Sequence, residues 1–305
     1  MNAVVNSPAR PRHPLEAVEQ VVAPATLQEA LQVLARDPEA LILAGGTDLM
    51  PQSRAGRVRR ARTLLNIRRV EGLGDARLDG GSLRLGSLFT IARLLTEPLV
   101  AEHAPLLVPC ADHFASDQIR NAATIGGNVV NASPAGDTLT PLLALDAEVE
   151  LASLDAAGAV TTRRVALGDF VTGPGRTTRA PGELLTAVCL PCHRGPRLDR
   201  FYKGGTRPAL DISTISIALA ARRGDHGQWL DVRLALGAVA ATPIRARHAE
   251  ALLEGNVPTA PLVTQAALCA SEEASPIDDV RASAWYRREL VRNMTKRMLD
   301  DVCDA

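Results

Sequence analysis

The sequence predicts an α+β fold in two successive parts. Short apolar runs alternate with helical patterns in the first part, and apolar residues alternate strictly at 215, 217 and 219 and at 232, 234 and 236 in the second. Between them, residues 192–200 are charged and turn-rich, which places a boundary near residue 195 and gives domains 1–195 and 196–305.

Each element has its own signal. A proline-rich arm ends near Pro14, residues 21–23 read as a strand, and Thr26 with Glu29 forms a capping-box pattern. Leu27, Leu31 and Leu34 then recur at helical spacing until Pro38 closes the helix. Residues 41–44 are an apolar strand that runs into Gly45, Gly46, Thr47 and Asp48, a loop with exposed amides. Residues 64–67 and 83–85 are further strands, and residues 90–95 are a helix with Leu94 and Leu95 inward. A second glycine pair at 126–127 leads through Val129 and Val130 into a second polar loop that ends at Asp137. Residues 141–145 read as a helical turn and 148–151 as a strand, and the strand over 184–190 is stopped by Pro191. Beyond the boundary, the two alternating runs predict half-buried antiparallel strands joined by a turn over 222–227. Helical patterns follow over 245–253, 261–272 and a last helix on which Leu290, Met294, Met298 and Val302 fall four apart.

Composition closes several doors. The 305 residues carry 34 Lys plus Arg against 34 Asp plus Glu, so no global field draws the chain to nucleic acid or an anionic membrane. Aromatic residues are only 3%, leaving few rings to stack bases. Five cysteines at irregular spacing do not form an oxidised framework, and together with an amino terminus lacking an apolar core they point to a reducing cytoplasm. No apolar stretch approaches the roughly 20 residues of a membrane span. The dinucleotide G-x-G-x-x-G, the P-loop, H-E-x-x-H and G-x-S-x-G are all missing. Cys189 and Cys192 form a single C-x-x-C, which reads as a strand-end core residue and a bystander rather than a metal site. His103, His113 and His193 have no partner at metal-ligand spacing, and the arginines at 54, 57, 59, 60 and 62 read as a solvated loop.

The glycine pairs are the sharper feature. Backbone N–H groups approach a pyrophosphate closely only where no Cβ intervenes, so two such loops could form a two-sided cradle. Gly45, Gly46 and Thr47 would supply one side, and Thr124, Gly126, Gly127 and Asn128 the other. Asp137 could then accept from sugar hydroxyls. The alternative is that both pairs are ordinary turns.

Four segments carry a resemblance. Ile42-Leu-Ala-Gly-Gly-Thr-Asp-Leu49, Ala123-Thr-Ile-Gly-Gly-Asn-Val-Val-Asn-Ala-Ser-Pro-Ala-Gly-Asp137, Phe201-Tyr-Lys-Gly-Gly-Thr-Arg-Pro-Ala-Leu-Asp-Ile212 and Asp278-Asp-Val-Arg-Ala-Ser-Ala-Trp-Tyr-Arg-Arg288 stand in order over nearly the whole chain. In these the sequence resembles the FAD-binding medium subunit of the xanthine dehydrogenase / carbon monoxide dehydrogenase family of molybdenum hydroxylases. The resemblance implies an FAD domain of the vanillyl-alcohol-oxidase (PCMH) type, with two α+β subdomains, and a smaller α+β carboxy-terminal domain of the CO dehydrogenase flavoprotein type. It implies that Ile42, Leu43, Ala44, Gly45, Gly46, Thr47, Asp48 and Leu49 wrap the diphosphate and that Phe114 packs near the cofactor. Thr124, Gly127 and Asn128 would touch diphosphate or ribityl, Asp137 cofactor hydroxyls, Leu185 the cofactor from a strand, and Lys203 the isoalloxazine or its polar edge.

No acid–base or nucleophilic catalytic residue and no metal ligand is implied on this chain. The [2Fe-2S] clusters would sit on a small subunit and the molybdenum cofactor on a large one, in a dimer of heterotrimers. Electrons would pass from the clusters through FAD to an external acceptor. No cysteine-bearing insertion for an additional [4Fe-4S] cluster lies between Asn128 and Leu151. Two rival readings are a free-standing flavin oxidase of the same fold and a flavin-free interaction subunit.

Overall fold

The computed structural model describes residues 14–192, 195, 197–207 and 210–303. The arm before Pro14 and His193 lie outside the described residues, and so do 194 and 196 on either side of the expected boundary.

The first subdomain is a small parallel sheet. Strand Thr63–Asn66 lies between Gln20–Val22 and Leu41–Leu43, and helix Leu27–Arg36 covers it. The capping box forms as its residues require: the Thr26 hydroxyl accepts from Glu29 N at 3.2 Å, and the Glu29 carboxylate accepts from the amides of Ala25 and Thr26. Such a cap is worth about 1 kcal/mol. Ala30, Leu31 and Leu34 on the inner face meet Leu65 and Ile67 of the sheet, and also Ala152 and Leu184 of the second subdomain. Burying each leucine contributes roughly 1.5–3 kcal/mol, so this one helix joins the two subdomains.

The second subdomain carries a five-stranded antiparallel sheet in the order Ala76–Asp79, Ser82–Gly86, Leu184–Pro191, Glu148–Leu154, Val160–Ala166. Its central strand is buried along nearly its whole length, and the pairing with Glu148–Leu154 shifts register between Leu185 and Ala187. Short helices surround it: Pro98–His103, Leu107–Asp112, Asp117–Ala122, Ile125–Asn131 and Leu139–Ala144. Most are too short to show a periodic signal, and the sequence reading missed several of them. The second glycine pair, which by its sequence leads through Val129 and Val130 into a polar loop, lies instead inside a helix, Ile125–Asn131. Thr124 caps that helix by accepting from Gly127 N at 3.1 Å.

The carboxy-terminal part is a four-stranded antiparallel sheet, Arg200–Gly204, Ile215–Arg223, Trp229–Gly237 and Ile244–Arg245, followed by helices Arg247–Leu253, Ala260–Glu273 and Ala284–Cys303. The two long strands were expected to be half-buried, but both faces are covered. Ile215, Ile217, Leu219 and Ala221 face the helices, whereas Ala218, Ala220 and Ala235 join the core of the first domain. Alternation therefore separates large from small side chains here, not wet from dry, because helix Leu139–Ala144 lies close against the second face. The Thr140 and Ser216 hydroxyls bond there at 2.8 Å, and a Cβ at Gly237 would overlap both. On the last helix the buried stripe runs through Val291, Thr295, Met298, Leu299 and Val302, so Leu290 and Met294 sit at its edge rather than its centre.

Candidate functional site

The two glycine segments touch. A Cβ at Gly45 would overlap the carbonyl oxygen of Ala122 and lie 2.7 Å from its carbon. Only a residue without a side chain lets the first turn reach the end of helix Asp117–Ala122, two residues before Thr124. Gln52, on helix Leu49–Arg54, adds a polar link: its amide donates to the Asp48 carboxylate and, at 3.4 Å, to Asn131 Oδ1. Sequence reasoning missed Gln52, since a lone glutamine in a short helix carries no signal.

The first turn has the main-chain donors of an anion seat. Gly46 holds φ +76, which a side chain would strain. Among the described residues, the amides of Gly45, Gly46, Thr47, Asp48 and Leu49 donate to no group of the chain. A run of adjacent N–H groups without a protein partner, half-buried except at Asp48, invites an anionic ligand, because neighbouring main-chain donors can converge on one anion. Ile42, Leu43 and Ala44 lead into the turn as the end of a strand packed beside the helix Leu27–Arg36.

The second segment is built differently. Gly126 N donates to Ser87 O at 3.0 Å, Gly127 N to Thr124 Oγ1, and Asn128 N to Thr124 O at 3.0 Å. These amides, expected to form the other side of a backbone cradle, are engaged within the chain by helix capping and packing. Gly126 is glycine because a Cβ would stand 2.6 Å from Ser87 Cβ. What this segment presents is side chain, together with the exposed, unbranched surface at Gly127. Asn128 Oδ1 accepts from Thr138 Oγ1 at 2.6 Å, which orients its amide NH₂.

Asp137 and Lys203, expected as separate contacts, are partners. Lys203 Nζ donates to Asp137 Oδ2 at 2.7 Å and to His113 O at 3.0 Å, and Ser213 Oγ donates to Asp137 Oδ1 at 2.7 Å. Both ends of the ion pair are close to fully buried. Burial pushes the Asp137 carboxyl above its ordinary value, against the opposing pull of the Lys203 ammonium, the hydrogen bonds from Lys203 and Ser213, and His113. The Cys110 thiol donates to Asp137 O at 3.2 Å and is held well above the usual thiol range, first by burial and then by the Asp137 charge. Its side chain is closed off from solvent. Lys203 keeps one ammonium hydrogen beyond these two bonds. It lines a cleft with His113, Tyr202, Gly204 and Arg207.

The remaining expected residues flank this track. Phe114 is buried next to His113, and Leu185 lies in the same core at the register shift of its strand. Gly45, Ala122, Thr124, Asn128, Thr138, Asp137 and Lys203 thus form one continuous path from the parallel sheet to the carboxy-terminal sheet. Among the described residues, no group of His, Cys, Asp and Glu could hold a metal ion.

Comparison with known proteins decides the family. Residues 16–193 match the FAD binding domain in molybdopterin dehydrogenase, and residues 200–302 match the CO dehydrogenase flavoprotein C-terminal domain. The chain belongs to the FAD-binding subunits of the molybdenum hydroxylases. It is 34% identical to the xanthine dehydrogenase FAD-binding subunit of Escherichia coli O157:H7, with 92% of this chain and 94% of that one covered. It is 33% identical to the glyceraldehyde dehydrogenase medium chain of Sulfolobus acidocaldarius, with 91% and 95% covered. Among solved structures, carbon monoxide dehydrogenase from Hydrogenophaga pseudoflava superposes with a TM-score of 0.86 at 28% identity, covering 93% of this chain and 96% of that one. Quinoline 2-oxidoreductase from Pseudomonas putida 86 gives 0.85 at 31% identity, with 93% and 96% covered. The α+β fold, the FAD cofactor and the oxidoreductase class follow from this membership. The chain is of the medium-subunit type, one component of a multi-subunit enzyme. Among the described residues, no helix is long and apolar enough to cross a membrane.

Proposed function

We propose that FAD lies along the path described above, with its diphosphate on the turn from Ile42 to Leu49. The unpaired amides of Gly45 to Leu49 carry this reading, since they offer a row of donors to an anion where the chain supplies no acceptor. Thr47 adds a hydroxyl. Thr124 and Asn128 approach the diphosphate or ribityl through their side chains, with Gly127 leaving room beside them. Asp137 accepts from cofactor hydroxyls, Phe114 and Leu185 pack against the cofactor from the core, and the Lys203 ammonium stands at the polar edge of the isoalloxazine. Bound FAD supplies a centre that takes electrons singly and releases them in pairs. The chain's own part is to hold that cofactor in place and shield it; no side chain here acts as acid, base or nucleophile.

In this reading the partners are a small subunit with [2Fe-2S] clusters, which delivers electrons, and a large subunit with the molybdenum cofactor, where substrate is oxidised. Two such heterotrimers associate, in the cytoplasm, and the domains divide as 1–195 and 196–305. An external acceptor then receives the electrons from this subunit.

The test is the composition of the complex purified through this chain. The account expects the paired near-ultraviolet and blue absorbance bands of oxidised flavin, copurifying iron and molybdenum, and two further polypeptides. Flavin without metal would favour the free-standing oxidase, and absence of flavin would overturn the reading.

A further inference from the structure

Asp137 is held from the other domain on both of its oxygens. Lys203 reaches Oδ2 from strand Arg200–Gly204, and Ser213 reaches Oδ1 from the segment entering strand Ile215–Arg223. The two donors arrive together because those strands are neighbours: Gly204 pairs with Ile215, and Thr214 N donates to Gly204 O at 2.8 Å. Ser213 is 1% exposed, so its hydroxyl is shielded from bulk solvent. A carboxylate gripped at one oxygen can rotate about its Cβ–Cγ bond, whereas one gripped at both has a fixed plane.

We propose that Ser213 is a positioning residue for Asp137. By fixing the carboxylate plane, it aims the lone pairs left free by the two bonds at the cofactor's hydroxyls. This rests on the reading that Asp137 receives those hydroxyls. The other groups facing the carboxylate are the Lys203 ammonium, His113, whose charge adds to that of Lys203 when protonated, and the Cys110 thiol, which bonds to the main-chain oxygen and not to the carboxylate. None of them reaches Oδ1 with a hydrogen bond, so none replaces Ser213.

The experiment compares the parent complex with Ser213→Ala and Asp137→Asn. Flavin is removed from each purified complex and titrated back, with Kd read from flavin fluorescence across the acid range, alongside Tm of the flavin-free complexes. Removing one hydrogen bond to a charged group is expected to raise Kd about tenfold in Ser213→Ala. That bond favours the ionised carboxylate, so the pH below which FAD affinity falls should also move upward. An unchanged Kd, or a raised Kd with the acid limit unmoved, would overturn the proposal and leave Ser213 as packing. Should Ser213→Ala not assemble, the acid limit is read in Ser213→Gly, which deletes the same bond and carries the same expectations. A parent-like Kd in Asp137→Asn would instead refute the role of Asp137, so the two failures are distinguishable.

Discussion

Gly45-Gly46 and Gly126-Gly127 each follow an apolar residue and precede a polar one, yet their neighbours give them different work. At the first pair the chain turns with Gly46 at positive φ, presses Gly45 onto the Ala122 carbonyl and leaves its amides without partners. At the second pair the chain starts a helix, and those amides bond to the Ser87 carbonyl and the Thr124 hydroxyl. The difference follows from Thr124, whose hydroxyl stands three residues before Gly127 and captures that amide. A glycine pair therefore signals close approach in both places, but free donors in only one.

Substitutions sharpen this contrast. The largest effect is expected for Gly45→Ala, because the new Cβ overlaps the Ala122 main-chain oxygen, a closer clash than any at Gly126, on the turn that carries the free amides. Flavin content should fall by well over half, with a lower Tm, and full flavin occupancy would break the comparison. Gly126→Ala drives a Cβ to within 2.6 Å of Ser87 Cβ, an overpacking expected to cost about 1–3 kcal/mol. Denaturant unfolding measures that loss, and the folded fraction should keep its flavin. Thr124→Ala removes the cap, for about 1 kcal/mol, and is the smallest change of stability. If Gly126→Ala lost flavin without losing stability, the second pair would be a donor site after all.

Much of this was legible in the residues. The capping box at Thr26 and Glu29, the strand into Gly45 and the alternation at 215–219 follow from local chemistry, and each element formed where its pattern lay. The helix Ile125–Asn131 was not legible, because two glycines and β-branched Val129 and Val130 argue against a helix that tertiary packing and one cap nevertheless sustain. Burial of both faces of strand Ile215–Arg223 was hidden for a related reason: alanine and serine on the second face look polar-permissive until a helix packs onto them. Asp137 and Lys203 were each singled out, but their bond was not, since it depends on how two domains meet. Ser213 had no signal at all; it matters only because neighbouring strands bring it to one carboxylate with Lys203.

A high-resolution structure of the flavin-loaded complex tests the central claim most directly. The account predicts diphosphate oxygens within about 3 Å of main-chain nitrogens between Gly45 and Leu49, with the Gly126, Gly127 and Asn128 nitrogens still bonded inside the chain. A diphosphate seated elsewhere, with the first turn's amides facing only solvent, would contradict it.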